Sequence, residues 1–145
     1  MREIWKTQAM NELEMHEARK ASIENITDQL RELESELTSI RSPGADSVSV
    51  RGGGGAKDGR YLNNIVARDV LKANLKAARR SVRAVEKALS VLDEEEQELL
   101  LRFFIKPEKE AVFDFADKFG IDRKTVYYRR ESALKKFTIA MYNGM

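Results

Sequence analysis

Two stretches of the chain place apolar residues with the period of a packed helix. Ile23, Ile26, Leu30, Leu33, Leu37 and Ile40 recur at spacings of 3, 4, 3, 4 and 3. Leu71, Leu75, Ala78, Val82, Val85, Leu89 and Leu92 recur at 4, 3, 4, 3, 4 and 3. Each is a heptad seam, one apolar line along a helix that lies against a partner. Upstream of the first seam the register breaks, because its backward extension lands on Arg19, His16 and Glu12. Ile4, Trp5, Met10, Leu13 and Met15 follow another phase, so the first turns either pack elsewhere or form a separate short helix. Residues 1–40 contain no Pro or Gly; if all are helical the rod is roughly 60 Å long at 1.5 Å per residue.

Between the seams, Arg41–Arg60 carries Ser42-Pro43-Gly44 and then Gly52–Gly55. It reads as a flexible linker, long enough to return the second helix (Tyr61–Leu92) antiparallel to the first. Downstream, Asp93 followed by Glu96 forms a capping-box pattern, and Leu99, Leu100, Phe103 and Phe104 supply an apolar face up to Lys106-Pro107. A helix over Glu110–Phe119 turns Val112, Phe115, Ala116 and Phe119 inward. A last helix runs from about Arg123 toward Met141, with Val126, Ala133, Leu134 and Phe137 on its core side. Between these two, Gly120 is free to take positive φ, Ile121 is an apolar plug, and Asp122 is an N-cap. That is the pattern of a helix-turn-helix.

The fold class expected is all-α: a long antiparallel, coiled-coil-like hairpin over 1–92, with its linker at 41–60, then a helix-turn-helix module over 93–145. Composition agrees, since 34% of residues are charged, 42% are hydrophobic and only two are proline. The overall charge of +2 conceals segregation. Residues 1–40 carry net −4, 61–92 net +5, 93–117 net −6 and 118–145 net +5. The two hairpin helices are therefore expected to attract across their flanks.

Several chemistries are excluded or weak. With no cysteine and one histidine, neither a thiolate nor a histidine metal site can be built, and no disulfide forms. No signal peptide and no membrane-spanning run is visible, so the expectation is a soluble protein of the bacterial cytoplasm, with no membrane partner. Gly52–Gly55 near Lys57 lacks the Gly-Lys-Ser/Thr ending of a phosphate-binding loop. His16 reads as a surface or interface residue, Trp5 as a packing anchor, and the acidic run Asp93–Glu98 as capping and solvation. No catalytic residue, metal or cofactor is expected, and the chain is not read as an enzyme.

The chemistry lies on the last helix. With Val126 inward, Lys124, Tyr128, Glu131 and Lys135 point away, Tyr127 lies on a shoulder and Arg123 stands near the start. Arg and Lys suit guanine edges and phosphates, and Tyr can reach a phosphate or a thymine methyl. The plain alternative is a three-helix packing unit with a solvated basic face.

DEEEQELLLRFF followed by FADKFGIDRKTVYYRRESALKKF resembles region four of bacterial sigma factors over Leu92–Phe137. With long helices and a Gly-rich linker ahead of it, the whole is similar to small phage or prophage regulators of the ArpU type. The resemblance implies a sequence-specific regulator of phage gene transcription, nucleoid-associated, binding double-stranded DNA and contacting RNA polymerase. It places DNA contacts on Arg123, Lys124, Thr125, Tyr127, Tyr128 and Arg130. One departure is visible: three positions after Val126, where the motif has an aliphatic residue, stands Arg129. Either Arg129 or Arg130 must lay its stem over the core edge. A homodimer through the hairpin is expected to present two recognition helices. A small-terminase-like DNA-packaging subunit, or an adaptor that binds RNA polymerase without specific DNA contact, remains an alternative.

Overall fold

The computed structural model describes residues 2–41 and 53–144, and among these every regular element is a helix. Helix α1 is Arg2–Arg41, α2 is Gly53–Ser90, and α3 is Glu94–Leu100, prolonged by a π-helical turn over Leu101–Ile105. Then come α4, Ala111–Phe119, and α5, Arg123–Tyr142. The architecture is the all-α one expected, a long antiparallel helical hairpin followed by a helix-turn-helix module. Of the expected linker, residues 42–52 lie outside the described residues. Gly53–Arg60 belong to α2 instead. Each glycine disfavours helix by about 1 kcal/mol, but extending an existing helix adds a hydrogen bond per residue fixed, without a new nucleus.

Packing does not divide the chain at 92/93, where the sequence suggested a boundary. One compact unit joins Met1–Lys20 to Arg80–Met145, and the other is Ala21–Arg79. The reason lies in the core of the first unit. Ala9 and Leu13 of α1, Val85, Ala88 and Leu92 of α2, Leu100, Phe104 and Ile105, and Ala133, Leu134 and Phe137 of α5 form one buried cluster. The base of the hairpin is thus a wall of the C-terminal module. A second cluster, Leu99, Val112, Phe115 and Val126, with Phe103, Phe119 and Ile121 against it, lies under the turn.

The π turn divides side chains between these clusters. Lys106 N–H donates to the Leu101 carbonyl at 2.7 Å, the i→i+5 bond that adds one residue to the turn. The added residue rotates the chain so that Phe104 and Ile105 both enter the first cluster, while Phe103 touches both. Asp93 caps α3 as the sequence implied. Its carboxylate accepts the Glu96 amide at 2.8 Å, and its own amide donates to the Glu96 carboxylate at 3.1 Å.

Both seams run further than their apolar residues. In the first unit α1 is unbroken, and the positions that ended the sequence pattern still face inward. His16 is buried at 4% exposure, and Arg19 pairs with Glu12 beside it, both partly buried. His16 is therefore buried, which agrees with the interface half of its sequence reading and not with the surface half. In the second unit the α2 seam continues back through Arg68 to Asn64. Asn64 is buried and donates to the Leu33 carbonyl at 2.9 Å, and Arg68 pairs with Glu34 at 3.1 Å. The expected attraction between helices rests, among the described residues of this unit, on that single pair. Lys72, Lys76 and Arg79 make no ion pair among the described residues.

Burial, followed by the positive field of Lys20, holds the His16 pKa below its ordinary value, against the opposing pull of Glu17 and Glu86. Folding thus disfavours the protonated ring relative to the unfolded chain. The stability from this site is complete above the unfolded value of about 6.5 and is lost as pH falls below it. The melting temperature should drop between pH 7.5 and 5.5, and His16→Gln should flatten that slope; an unchanged slope would contradict the assignment.

Candidate functional site

The corner between α4 and α5 is built from local chemistry. Gly120 ends α4 with φ 63° and ψ 37°, and the Ile121 amide donates back to the Ala116 carbonyl at 3.0 Å. Ile121 is half-buried against the second cluster. Asp122 adopts extended backbone, and its carboxylate accepts the Thr125 amide at 2.8 Å. Hydrogen bonds from Thr125, side chain first and then amide, hold the Asp122 carboxyl below the usual carboxylate range. The cap is therefore charged at neutral pH, which suits the positive end of the α5 dipole.

Helix α5 has a clasped half and a free half. Toward its C-terminus, Ala133, Leu134, Phe137 and Thr138 are buried under the hairpin base, and Trp5 packs on Tyr142 with ring centroids 5.0 Å apart. Toward its N-terminus only Val126 is fully buried. Arg123, Lys124, Tyr127 and Tyr128 are exposed there, Tyr128 by 76%. The Arg123 guanidinium lies over the Phe113 ring at 5.2 Å, a contact that orients it across the turn.

Charge pairing separates the cations of this unit into two groups. Glu95 pairs with Arg129 at 2.6 Å, Glu96 with Lys136 at 2.8 Å, and Glu98 with Lys118 at 3.0 Å and Arg102 at 3.4 Å. The acidic run on α3 thus neutralises one flank of α5 as well as capping its own helix. Arg123, Lys124 and Lys135 make no ion pair among the described residues. They share the outward side of α5 with the two tyrosines.

Of the six residues named from sequence, four stand together on the free half: Arg123, Lys124, Tyr127 and Tyr128. Thr125 is half-buried and engaged in the cap. Arg130 is held elsewhere. Its guanidinium sits 5.0 Å from the Tyr127 ring centroid and 5.2 Å from that of Phe103, donates to Glu131 at 3.0 Å, and is 26% exposed. It is Arg130 that covers the core edge, and Arg129 that turns to the acidic helix.

Lys135, two turns beyond Tyr128, stands on the outward side where helical spacing put it, and it is exposed. Sequence reasoning did not include two further residues. Phe113 beneath Arg123 and Lys6 beside Glu131 come from other elements and left no local signal. Lys6 contacts the Glu131 carboxylate at 2.6 Å. Partial burial pushes that carboxyl up, but hydrogen bonds from Lys6 and Arg130 outweigh it and keep the pKa low. The acid on the outward side of α5 is therefore ionised and matched by two cations. Lys6, Tyr128, Glu131 and Lys135, with Leu134 and Thr138 beneath, line a groove of about 410 Å³.

Among the described residues no group of three or more potential ligands is placed to hold a metal, and no helix is long and apolar enough to cross a membrane. Compared with protein-family models, with curated proteins and with solved structures, the chain matches none.

Two predictions separate the packed arginine from the free cations. Arg130→Ala should lower stability by about 1–2 kcal/mol, from lost stacking and an uncovered aromatic edge. Arg123→Ala and Lys124→Ala should each stay within about 0.5 kcal/mol of the parent, as exposed sites do. Denaturant titrations measure both; equal losses would contradict the division. At the turn, the Cβ of Gly120→Ala meets open space, so only the left-handed backbone is penalised. The loss should be about 1–2 kcal/mol, with Gly120→Val losing more.

Proposed function

We propose that the chain is a non-enzymatic, sequence-specific DNA-binding transcription regulator that inserts the N-terminal half of α5 into the major groove. The observation that carries this reading is the contrast in pairing on one helix. Arg123, Lys124 and Lys135 stand unpaired beside two exposed tyrosines, while Arg129, Arg130 and Lys136 are taken up by acidic partners. Two uncompensated cations just past a tight, capped turn, with a third further along the same side of the helix, suit phosphates and guanine edges.

Its roles divide by position. Arg123, at the start of the helix and braced by Phe113, reaches a phosphate on the groove wall. Lys124 and Tyr128 point most directly outward and contact base edges. Tyr127 supports Arg130 with its ring and presents its hydroxyl toward the backbone. Thr125 positions the helix through the cap. The likeness of Leu92–Phe137 to sigma region four supports a role in transcription, and with it RNA polymerase as a partner and the bacterial nucleoid as the site of action. Phage genes as targets rest on the ArpU-type resemblance alone.

The test is selection of bound fragments from the source genome, followed by gel shift on those recovered. Log affinity should fall linearly with log salt, at about 0.9 per phosphate neutralised. Arg123→Ala combined with Lys124→Ala should abolish sequence-specific retention while the melting temperature holds. Arg130→Ala, compared at equal folded fraction, should retain the parent's fragment preference. Salt-insensitive binding, or retention of no fragment, would sink the reading.

A further inference from the structure

Helix α2 bears a second apolar line, within the unit Ala21–Arg79, that neither seam accounts for. Leu62, Val66, Val70, Ala73 and Ala77 follow one another at spacings of 4, 4, 3 and 4, and all five are exposed. The three large ones are 60%, 53% and 55% exposed. At 3.6 residues per turn the five fall within an arc of about 80°, centred about 160° from the seam of Asn64, Leu71 and Leu75. The stripe therefore lies on the side of α2 opposite α1. A helix apolar on two opposite sides is one that packs on both.

We propose that a second copy of this chain covers the stripe, α2 against α2, antiparallel across a two-fold axis. The outward side of α1 in this unit carries Glu24, Asp28 and Glu32, all exposed, so within this unit the apolar surface a second copy can offer is the same α2 stripe. The stripe is complementary to itself in size, with large residues at its N-terminal end and alanines at its C-terminal end. Antiparallel packing lays Leu62 over Ala77 of the second copy and Val66 over Ala73, with the reciprocal pairs beyond the axis. It is complementary in charge as well. Asp69 and Lys72 are exposed on one flank of the stripe, and neither makes an ion pair among the described residues. The same register brings Asp69 of each copy within about two residues' rise, about 3 Å along the axis, of Lys72 of the other. A parallel pair would instead set Leu62 on Leu62, Ala77 on Ala77 and Lys72 beside Lys72. Such a contact is isologous, the type most soluble dimers use.

The interface is independent of the DNA reading, because it is measured without DNA and its failure leaves fragment retention untouched. Sedimentation or light scattering on the full chain should give a mass near twice 16.6 kDa. Leu62→Lys combined with Val66→Lys should weaken association at least about tenfold without loss of helicity, since both side chains are on the surface. Because the chain has no cysteine, introduced thiols report geometry directly. Leu62→Cys combined with Ala77→Cys, or an equimolar mixture of the two single variants, should cross-link between copies under mild oxidation. Either single variant alone should not. A monomer at every concentration, a double lysine variant that still dimerises like the parent, or Leu62→Cys alone cross-linking to itself would overturn the proposal.

Discussion

Everything in the C-terminal module depends on how α5 is buried. Its inward positions serve two clusters at once, Val126 under the turn and Ala133, Leu134 and Phe137 in the larger core. Four fully buried side chains over twelve residues leave the helix little freedom to rotate. That rotation decides which cations face outward. The doubt raised by Arg129 and Arg130 is resolved by packing: one guanidinium lies on Phe103 and Tyr127, and the other reaches Glu95.

The hairpin base is part of the same constraint. Ala9 and Leu13 pack in the cluster that holds Phe137, and Lys6 reaches Glu131. The C-terminal half of α5 is clasped, and the N-terminal half projects. This asymmetry gives physical content to the candidate site, because an anchored helix leaves its backbone little entropy to lose on binding. The acidic run of α3 adds selectivity of another kind. By pairing with Arg129, Lys136 and Lys118 it removes cations from one flank, so the remaining positive charge is concentrated on the outward side. Exposed pairs of this kind contribute little to stability. Their effect is on where charge is left over.

Much was legible in the chain itself, and for a common reason: local chemistry decided it. The caps at Asp93 and Asp122, the left-handed Gly120, the helix stop at Lys106-Pro107 and the two heptad seams each depend on residues a few positions apart, and spacing specifies them. Four of six named contact residues also share one free surface, because helical periodicity alone divides α5 into sides. Where polar residues occupy seam positions, apolar periodicity stops short. His16 and Asn64 look like interruptions in the sequence and are buried in the fold, with the Asn64 amide nitrogen donating to the Leu33 carbonyl across the hairpin.

The caps, the turn and most of each helix's span were legible in the chain, since these are set by bonds and sterics within one or two turns, whereas the extension of α2 back to Gly53 was not. Only the tertiary structure decided which arginine is spent on packing, since that required Glu95 and Phe103 to arrive from another helix. It alone joined Met1–Lys20 to the C-terminal module, made the π turn that sends Phe104 and Ile105 into one cluster and sets Phe103 against both, and left a second side of α2 uncovered. Each of those outcomes depends on partners distant in sequence, and no local pattern records who the partner is.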